Sequence, residues 1–291
     1  MNFLLSKNEA YKKYEFKKLC HIIGFKQSEI VSLLHKINSN YKEWSEKKTD
    51  KKSRKVKTYL DGTEKTRTFR NPSQLLKTVQ SRIKNNILSG IELPKTVHGG
   101  VKKRSNVTNA KPHQGNKYIF TTDLQEFYPS INSKRVYDAF IRLKFSTHFS
   151  HWLTTLTTKE NELPQGAPTS THISNLVFLE IDIKLIELCN QNGITYTRYI
   201  DDLTFSSPQD FSHKIEDILK IITSSKFKIS QRKTKYNGSQ TVTGINIFLN
   251  KIDAPVNIIE KSKIEIESES KIKPYTNYRN NILKTNRRKK A

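Results

Sequence analysis

Apolar residues spaced three or four positions apart predict helices along much of the chain. Residues 1–40 show this spacing as short helices, and it returns at 174–188 and 211–222. Asn71 and Pro72 are typical of an N-cap followed by proline in the first helical turn. The apolar face expected for the helix after them is Leu75, Leu76, Val79, Ile83 and Ile87.

β-branched and aromatic residues mark the predicted strands. They dominate 117–122 and 194–206. A further hairpin is predicted in 47–70, where two basic arms flank the turn residues Asp61 and Gly62. That basic hairpin suits contact with phosphates, although a solvated lysine-rich surface explains it equally well. Helices interleaved with a few strands predict an α+β sheet domain.

The net charge adds a binding partner to this picture. Among 291 residues, 52 Lys and Arg stand against 27 Asp and Glu, a formal net charge of +25. Such an excess favours a polyanion, and nucleic acid is the usual one. A ribosomal-type structural protein with a basic surface fits the same numbers. Hydrophobic residues at 34%, with 14 Phe and 12 Tyr, are enough for a folded core.

Cysteine usage and hydropathy bear on the compartment. Cys20 and Cys189 lie far apart, which fits a reducing cytosol and excludes a cysteine-built zinc site. The apolar run from Phe3 to Leu5 is too short for a signal peptide, and no stretch approaches transmembrane length. We therefore expect a cytoplasmic protein without membrane attachment.

Three aspartates are candidates for chemistry. Asp201 and Asp202 interrupt the strand-like run 199–206, and both can project from one edge if they lie at a hairpin tip. Asp123 ends the predicted strand 117–122. Strands that each end in aspartate can hold two Mg²⁺ ions about 3.5–4 Å apart, which offsets the repulsion between the carboxylates. An acidic surface turn, or a helix N-cap for Asp123, is the alternative.

Motifs in a fixed order identify a family. DLQEFYPS, LPQGAP and YIDD follow one another, with Asp123 and Gln165 separated by 42 residues and Gln165 and Asp201 by 36. This order and spacing resembles the core motifs of reverse transcriptases. NAKPH at 109–113 and VTG at 242–244 resemble two elements that mark bacterial retron reverse transcriptases. The resemblance covers most of the chain.

The resemblance implies a right-hand polymerase with a catalytic antiparallel sheet in its palm. It places an N-terminal helical segment and fingers in 1–122, the palm in 123–244 and a short basic thumb or tail in 245–291. The thumb is expected to be reduced, because Pro255 and Pro274 leave about two short helices, and the final NRRKKA is expected to fray. The implied activity is RNA-directed DNA synthesis from deoxynucleoside triphosphates with two Mg²⁺ ions.

Catalytic roles carry over residue by residue. Asp123, Asp201 and Asp202 would be the catalytic carboxylates and metal ligands. Lys233 matches the position proposed in polymerases to protonate the leaving pyrophosphate, and a plain phosphate contact is the alternative. Ile200 departs from the family, since retron enzymes usually carry alanine there, and its larger side chain would press on the primer end.

Nucleotide-binding roles carry over in the same way. The ring of Tyr128 would crowd the sugar 2′-carbon and exclude ribonucleotides. A core aromatic is the alternative for Tyr128, and Phe127 beside it is expected to be the core residue. Gln165 and Gly166 would lie against the incoming nucleotide and template, although LPQGAPTS also suits an ordinary helix-entry loop.

The basic hairpin and the two retron elements supply further candidates. Lys65 and Arg67 are the candidates for gripping the triphosphate, with Lys55 and Lys57 competing for that role. Candidate RNA contacts in the retron elements are Asn109, His113, Val242, Thr243 and Gly244. A structural histidine, and a strand turning a corner within 241–249, are the alternatives.

The resemblance also implies partners. It implies a dedicated structured non-coding RNA as template and primer, with synthesis from the 2′-OH of an internal guanosine and a branched RNA–DNA product. It further implies an effector protein in anti-phage defence, and it leaves the oligomeric state open. Another stand-alone bacterial reverse transcriptase, of the abortive-infection or group II-intron kind, and a non-catalytic RNA-binding scaffold are the rival interpretations.

Overall fold

The computed structural model describes residues 2–49, 53, 55–58, 61–237, 240–268 and 271–286. In chain order its helices and strands are α1 (Asn2–Ile23), α2 (Gln27–His35), β1 (Tyr41–Lys47), β2 (Thr66–Pro72), α3 (Gln74–Asn86), α4 (Asn106–Ala110), β3 (Tyr118–Asp123), α5 (Ser133–Arg142), α6 (Thr147–Thr157), α7 (Ser170–Gln191), β4 (Thr195–Tyr199), β5 (Asp202–Ser207), α8 (Ile215–Ser224), β6 (Lys235–Tyr236), β7 (Thr241–Val242), β8 (Ile245–Ile247), β9 (Ile252–Asp253), α9 (Val256–Glu267) and α10 (Pro274–Lys284). This mixture of helices and antiparallel strands agrees with the α+β class.

The chain forms two compact units, each assembled from two separate stretches. The first contains Met1–Glu92 and Tyr128–Val177, and the second contains Leu93–Phe127 and Phe178–Ala291. The division into 1–122, 123–244 and 245–291 expected from the sequence stays a prediction. Strand β3 spans the expected 122/123 boundary, and the turn between β7 and β8 lies at the expected 244/245 boundary.

The first unit is mainly helical, and its N-terminal helix is longer than expected. Helix α1 runs for 22 residues rather than as short helices, because neither glycine nor proline occurs between its ends. It packs on α2, α3 and α6. Leu19 and Ile23 are fully buried in it, as are Ile30 of α2 and Leu153 of α6.

The start of α3 corrects the cap expected from the sequence. Asn71 and Pro72 belong to β2, because Pro72 still pairs with Tyr41 of β1 and holds the chain extended. The N-cap is Ser73, whose Oγ accepts a hydrogen bond from the backbone N of Leu76 at 3.4 Å. Leu75 is also misplaced in the expected apolar face, since 41% of it is exposed.

A hairpin is present, but β2 pairs with residues 41–47 and not with the basic arm that directly precedes Asp61. Strands β1 and β2 pair antiparallel from Tyr41↔Pro72 to Lys47↔Thr66. Beyond them, Thr58 and Glu64 bridge across the predicted turn, where Asp61 Oδ1 accepts from Thr63 N at 2.9 Å.

The second unit is organised on a four-stranded antiparallel sheet in the order β4-β5-β3-β6. One face of this sheet is aromatic, since Phe120 lies 5.7 Å from Phe205 and Tyr196 stacks on Phe205 at 4.8 Å between ring centroids. Phe127 and Phe178 pack edge-on at 5.9 Å and continue this core. The burial of Phe127, of which 3% is exposed, confirms its interpretation as a core residue.

The C-terminal part of the second unit has its own apolar core and a second sheet, β7-β8-β9. Two short helices are present, as the prolines predicted: α9 follows Pro255 and α10 begins at Pro274. Ile282 of α10 is buried among residues from α4, from four strands and from the position directly after β9. That cluster consists of Ala110, Ile119, Val242, Ile245, Ile247, Ile252 and Ala254. The expected fraying of NRRKKA lies, from residue 287, outside the described residues.

Across the described ranges, no helix is both long and apolar enough to cross a bilayer. Cys20 and Cys189 are both buried free thiols, one in each unit.

The α3 helix provides a test of the packing in the first unit. Ile83→Ala removes a fully buried side chain and is expected to lower the free energy of unfolding by about 2–5 kcal/mol. Leu75→Ala, on the exposed side of the same helix, should change it by less than about 0.5 kcal/mol. Urea unfolding followed by tryptophan fluorescence measures both, because Trp44 and Trp152 lie in the first unit. Equal losses from the two substitutions would contradict the observed face of α3.

Candidate active site

The carboxylate pair lies at the tip of a tight hairpin, as predicted. Strands β4 and β5 pair down to Tyr199↔Asp202, so Ile200 and Asp201 form a two-residue connection. Ile200 has a φ of +61°, in the left-handed region. A β-branched residue is unusual there, because its side chain crowds the backbone.

Strand pairing brings the third carboxylate to the same place. Asp123 is the last residue of β3 and pairs directly with Asp202 of β5. The backbone N of Leu124 also donates to the Asp201 carbonyl at 3.0 Å. Each of the three aspartates offers a carboxylate oxygen, and these atoms all lie within 4.8 Å of one another. Asp123 therefore ends a strand beside the other two and does not cap a helix.

Clustering of the carboxylates changes the protonation of Asp202. Burial, together with the negative charges of Asp201 and Asp123 and a hydrogen bond to Asp123, raises the pKa of Asp202 to about 7. A carboxyl group that resists ionisation in this way gains from a nearby cation. Carboxylate oxygens are the ligands that Mg²⁺ and similar hard cations prefer, so the donor set fits a divalent ion.

Lys233 supplies a positive charge to this cluster. Its Nζ lies 2.6 Å from Asp123 Oδ2, in an ion pair with a buried carboxylate. Burial by itself would lower the pKa of Lys233, but the hydrogen bond and charge of Asp123 outweigh it, so the pKa is raised. The side chain therefore carries a proton at neutral pH.

A buried ion pair behind the hairpin was missed from the sequence. Arg198, in β4, and Asp182, in α7, are both fully buried and lie 2.6 Å apart between Nη2 and Oδ2. The signal was weak, because Arg198 does interrupt the strand TYTRY but Asp182 shares the helical stretch FLEIDIKL with Glu180 and Lys184. Charged residues in such positions are almost never buried unless they are paired.

Tyr128 lies in the first unit, with its side chain half-buried. Its hydroxyl is 3.1 Å from the Oγ1 of Thr171, near the start of α7. The ring is thus held at its outer end by a neighbouring helix. The role of Tyr128 in sugar selection stays a prediction.

The LPQGAP loop, also in the first unit, is anchored at both ends. Leu163 N donates to the carbonyl of Ile131 at 2.9 Å, and Ser170 Oγ donates to the carbonyl of Pro164 at 2.5 Å. Between these anchors Gly166 is exposed with a φ of +96°, which side chains rarely tolerate. Gln165 is half-buried beside it.

The fingers candidates occupy the basic hairpin. The backbone N of Lys65 donates to the carbonyl of Lys57 at 2.7 Å, and Lys65 directly precedes β2. Arg67 is exposed in β2, with its guanidinium 5.9 Å from the ring centroid of Phe69. That ring in turn stacks on Trp44 at 5.4 Å.

The two retron elements meet in the second unit. Asn109 Nδ2 donates to Thr243 Oγ1 at 3.3 Å, joining NAKPH to VTG. His113 is fully buried, and its ring nitrogens lie 2.6 Å from Ser206 Oγ and 2.7 Å from Thr197 Oγ1. Burial and the charge of the neighbouring His98 lower its pKa to about 3, so it is neutral.

Burial decides between the alternatives for these elements. Asn109, His113 and Val242 are enclosed in the fold, so His113 is a structural histidine and has no surface for RNA. Thr243 and Gly244 form the β7–β8 turn, half-buried and exposed respectively, and remain candidates for an RNA contact.

Comparison with known proteins agrees with this arrangement. Residues 47–247 match the family described as reverse transcriptase (RNA-dependent DNA polymerase). The chain is 30% identical over 249 residues to the retron Ec73 reverse transcriptase of Escherichia coli, covering 74% of this chain and 79% of that protein. The chain belongs to the bacterial retron-type reverse transcriptases. This family assignment sets aside the abortive-infection and group II-intron interpretations.

Other retron-type relatives match a smaller share of their own length. Identity is 35% over 192 residues to the retron Ec86 enzyme of Escherichia coli, covering 64% of this chain and 60% of the relative. It is 32% over 200 residues to the retron Se72 enzyme of Salmonella heidelberg, covering 68% and 52% respectively. The chain thus spans between half and three-fifths of these two proteins.

The raised pKa of Asp202 predicts a pH-dependent stability. Between about pH 4 and pH 7, the folded metal-free protein holds a proton on Asp202 that the unfolded chain has released, so the free energy of unfolding falls as pH rises. Asp202→Asn removes this loss, since the amide can still donate to Asp123. It should stabilise the protein at pH 8 by up to about 4 kcal/mol, and little at pH 4. Urea unfolding in the presence of a chelator measures the difference.

Asp210→Asn is the matched control. Hydrogen bonds from Ser212 and Tyr236 lower the pKa of Asp210, so its replacement should destabilise the protein at neutral pH. Adding Mg²⁺ should cancel the advantage of Asp202→Asn. A pH-independent effect of Asp202→Asn would contradict the charge clustering.

Proposed function

We propose that this protein is an RNA-directed DNA polymerase that copies a structured RNA into DNA. The observation that carries the proposal is the cluster of Asp123, Asp201 and Asp202, whose ligand atoms lie within 4.8 Å inside the family-matching region. Binding RNA does not require three carboxylates facing a polyanion, whereas phosphoryl transfer assisted by metals does. In the right-hand arrangement that we propose, the β4-β5-β3-β6 sheet belongs to the palm, the β1–β2 hairpin to the fingers and α9–α10 to a reduced thumb.

Two Mg²⁺ ions are the proposed cofactors, held by the three aspartates. Asp123 and Asp201 are the firmer ligands, and the raised pKa of Asp202 supports a cation site because ionisation there needs a compensating charge. The bound ions would neutralise charge on the transferring phosphate. Lys233 carries a proton on Nζ, which it can donate to the leaving pyrophosphate, or with which it can bind phosphate as a cation.

Deoxynucleoside triphosphates are the proposed substrates. We assign sugar selection to Tyr128, and contacts to the incoming nucleotide and template to Gln165 and Gly166. Lys65 and Arg67 are the proposed grips on the triphosphate, where a lysine acts as a point charge and an arginine as a fork. The exposure of Arg67 on β2 supports this role.

The proposed template and primer are one dedicated non-coding RNA. Relatives named as retron reverse transcriptases and a net charge of +25 support a structured RNA partner. Synthesis would begin at the 2′-OH of an internal guanosine and leave a branched RNA–DNA product of the multicopy single-stranded DNA kind. A cytoplasmic role in anti-phage defence, beside an effector protein encoded nearby, completes the proposal.

The product is the first thing to measure. When the native locus is expressed, a discrete DNA species that stays joined to a ribonucleotide after RNase treatment should co-purify with the protein. It should be absent from Asp201→Ala/Asp202→Ala, because the metal ligands are lost. The matched control is Glu216→Ala/Asp217→Ala, which removes two exposed acidic residues of the same unit and should leave the DNA unchanged. RNA alone in every sample would instead favour the RNA-binding scaffold.

Sugar selection provides a second test. Tyr128→Ala should admit ribonucleotides, because the blocking ring is gone. Thr171→Val should raise the ratio of ribonucleotide to deoxynucleotide incorporation about fivefold, since it removes one hydrogen bond worth about 1 kcal/mol from the Tyr128 hydroxyl. Thr155→Val is the control, because that hydroxyl bonds the His151 carbonyl in its own helix. An unchanged ratio in Tyr128→Ala would contradict the assigned role of the ring.

A further inference from the structure

The turn that carries Asp201 has a conformation that it would not hold by itself. Ile200 lies at a φ of +61° in a two-residue connection between β4 and β5. A β-branched residue in this region is strained, and such strain persists where surrounding contacts over-determine the backbone. The contacts around the turn should therefore include the groups that hold it.

One such group is the guanidinium of Arg198, which bonds in two directions. Its Nε and Nη2 donate to Asp182 Oδ1 at 2.9 Å and Oδ2 at 2.6 Å, while its Nη1 donates to the carbonyl of Ile200 at 2.8 Å. Tyr196 Oη donates to the same Asp182 at 2.7 Å, and the Phe178 ring lies 4.8 Å from the guanidinium carbon. The guanidinium group is thus held by Asp182 of α7 and also bonds to the backbone of the turn.

A second group is the segment 96–99, which pairs with β4 through a parallel bridge between Val97 and Arg198. Arg198 N donates to the Thr96 carbonyl at 2.8 Å, and His98 N donates to the Arg198 carbonyl at 2.8 Å. The next residue, Gly99, touches the turn itself. A methyl group added to it would lie 2.5 Å from Cγ1 of Ile200 and 2.9 Å from the carbonyl carbon of Tyr199, so a side chain does not fit there.

We propose that Arg198, Asp182 and Gly99 are positioning residues that set the geometry of the metal-binding carboxylates. Arg198 and Asp182 hold the Ile200 carbonyl from one side, and Gly99 allows segment 96–99 to support the same turn closely. Through the turn they fix Asp201 and Asp202 relative to Asp123. The inference rests on the proposed metal-dependent function and names the residues that make its site competent.

The alternative is a purely structural ion pair. A buried ion pair is weak evidence for stability, because removing two charges from water offsets most of their attraction. The bond from the third guanidinium nitrogen to the turn gives this pair a separate consequence. A structural pair would affect unfolding alone, whereas a positioning pair would also change metal binding in the folded protein.

The experiment compares substitutions in the whole 291-residue chain. Arg198→Lys keeps the charge but cannot form the fork, and Asp182→Asn keeps the shape of its side chain. Gly99→Ala disturbs the turn through segment 96–99, because the added methyl group would clash with Ile200. Arg279→Lys is the matched control, because Arg279 and Asp253 form a comparable bidentate pair at 3.1 and 3.2 Å in the C-terminal sheet and helix. Mn²⁺ binding is followed by electron paramagnetic resonance, and folding by circular dichroism.

We expect Arg198→Lys and Gly99→Ala to weaken Mn²⁺ binding by about 10–100-fold, as loss of groups that orient metal ligands does. In primer extension they should lower kcat more than they change KM for the nucleotide. Arg279→Lys should bind Mn²⁺ like the wild type. Asp182→Asn should weaken Mn²⁺ binding in the same direction. It therefore keeps the proposal testable if another variant fails to fold.

Two contrary results are distinguishable. If the wild type binds Mn²⁺ and every folded variant binds it equally well, the positioning role is wrong and the proposed metal site stands. If the wild type itself binds no Mn²⁺, the proposed metal site is wrong, and the positioning role is wrong with it.

Discussion

The antiparallel pairing of β3 with β5 is the interaction on which the candidate site depends. In this register Asp123 lies opposite Asp202, at the edge where the β4–β5 hairpin turns. Because side chains alternate across a strand, a slip of one residue would move Asp202 to the other face and separate the carboxylates. The aromatic packing of Phe120 against Phe205 stabilises the pairing several residues away. The apolar core therefore sets the spacing of the charged groups.

That spacing has an electrostatic cost, which the surroundings reduce in several ways. The carboxyl of Asp202 resists ionisation, and Lys233 pairs with Asp123. The strained backbone of Ile200 is a second unfavourable feature, and it lies in the same turn as Asp201. Functional sites often retain unfavourable features of this kind, because the arrangement that binds a cation or substrate differs from the one that is most stable without it. The buried Arg198–Asp182 pair lies behind this turn and bonds its backbone.

The residues that mark the retron family form a polar junction in this structure. Asn106 and Asn109 bond to Thr243, and His113 joins β4 to β5 through Thr197 and Ser206. A buried polar group is costly unless it is bonded, so such a network favours one arrangement of the elements that it connects. The exposed turn at Gly244 is held by this junction. A motif can therefore identify a family through the scaffold beneath a surface as well as through the surface itself.

Local patterns determined a large part of this protein in advance. The turn at Asp61 follows from its turn residues, and the two C-terminal helices follow from Pro255 and Pro274, which act over a few residues. The hairpin tip at Asp201 and the core position of Phe127 were expected from the reverse-transcriptase motifs. Tertiary structure decided what depends on distant partners. Pairing with β1 placed Pro72 in a strand, burial made His113 structural, and the fold joined Arg198 to Asp182 across sixteen residues of sequence. Local propensity is written in neighbouring residues, whereas burial and ion pairing depend on which distant segments meet.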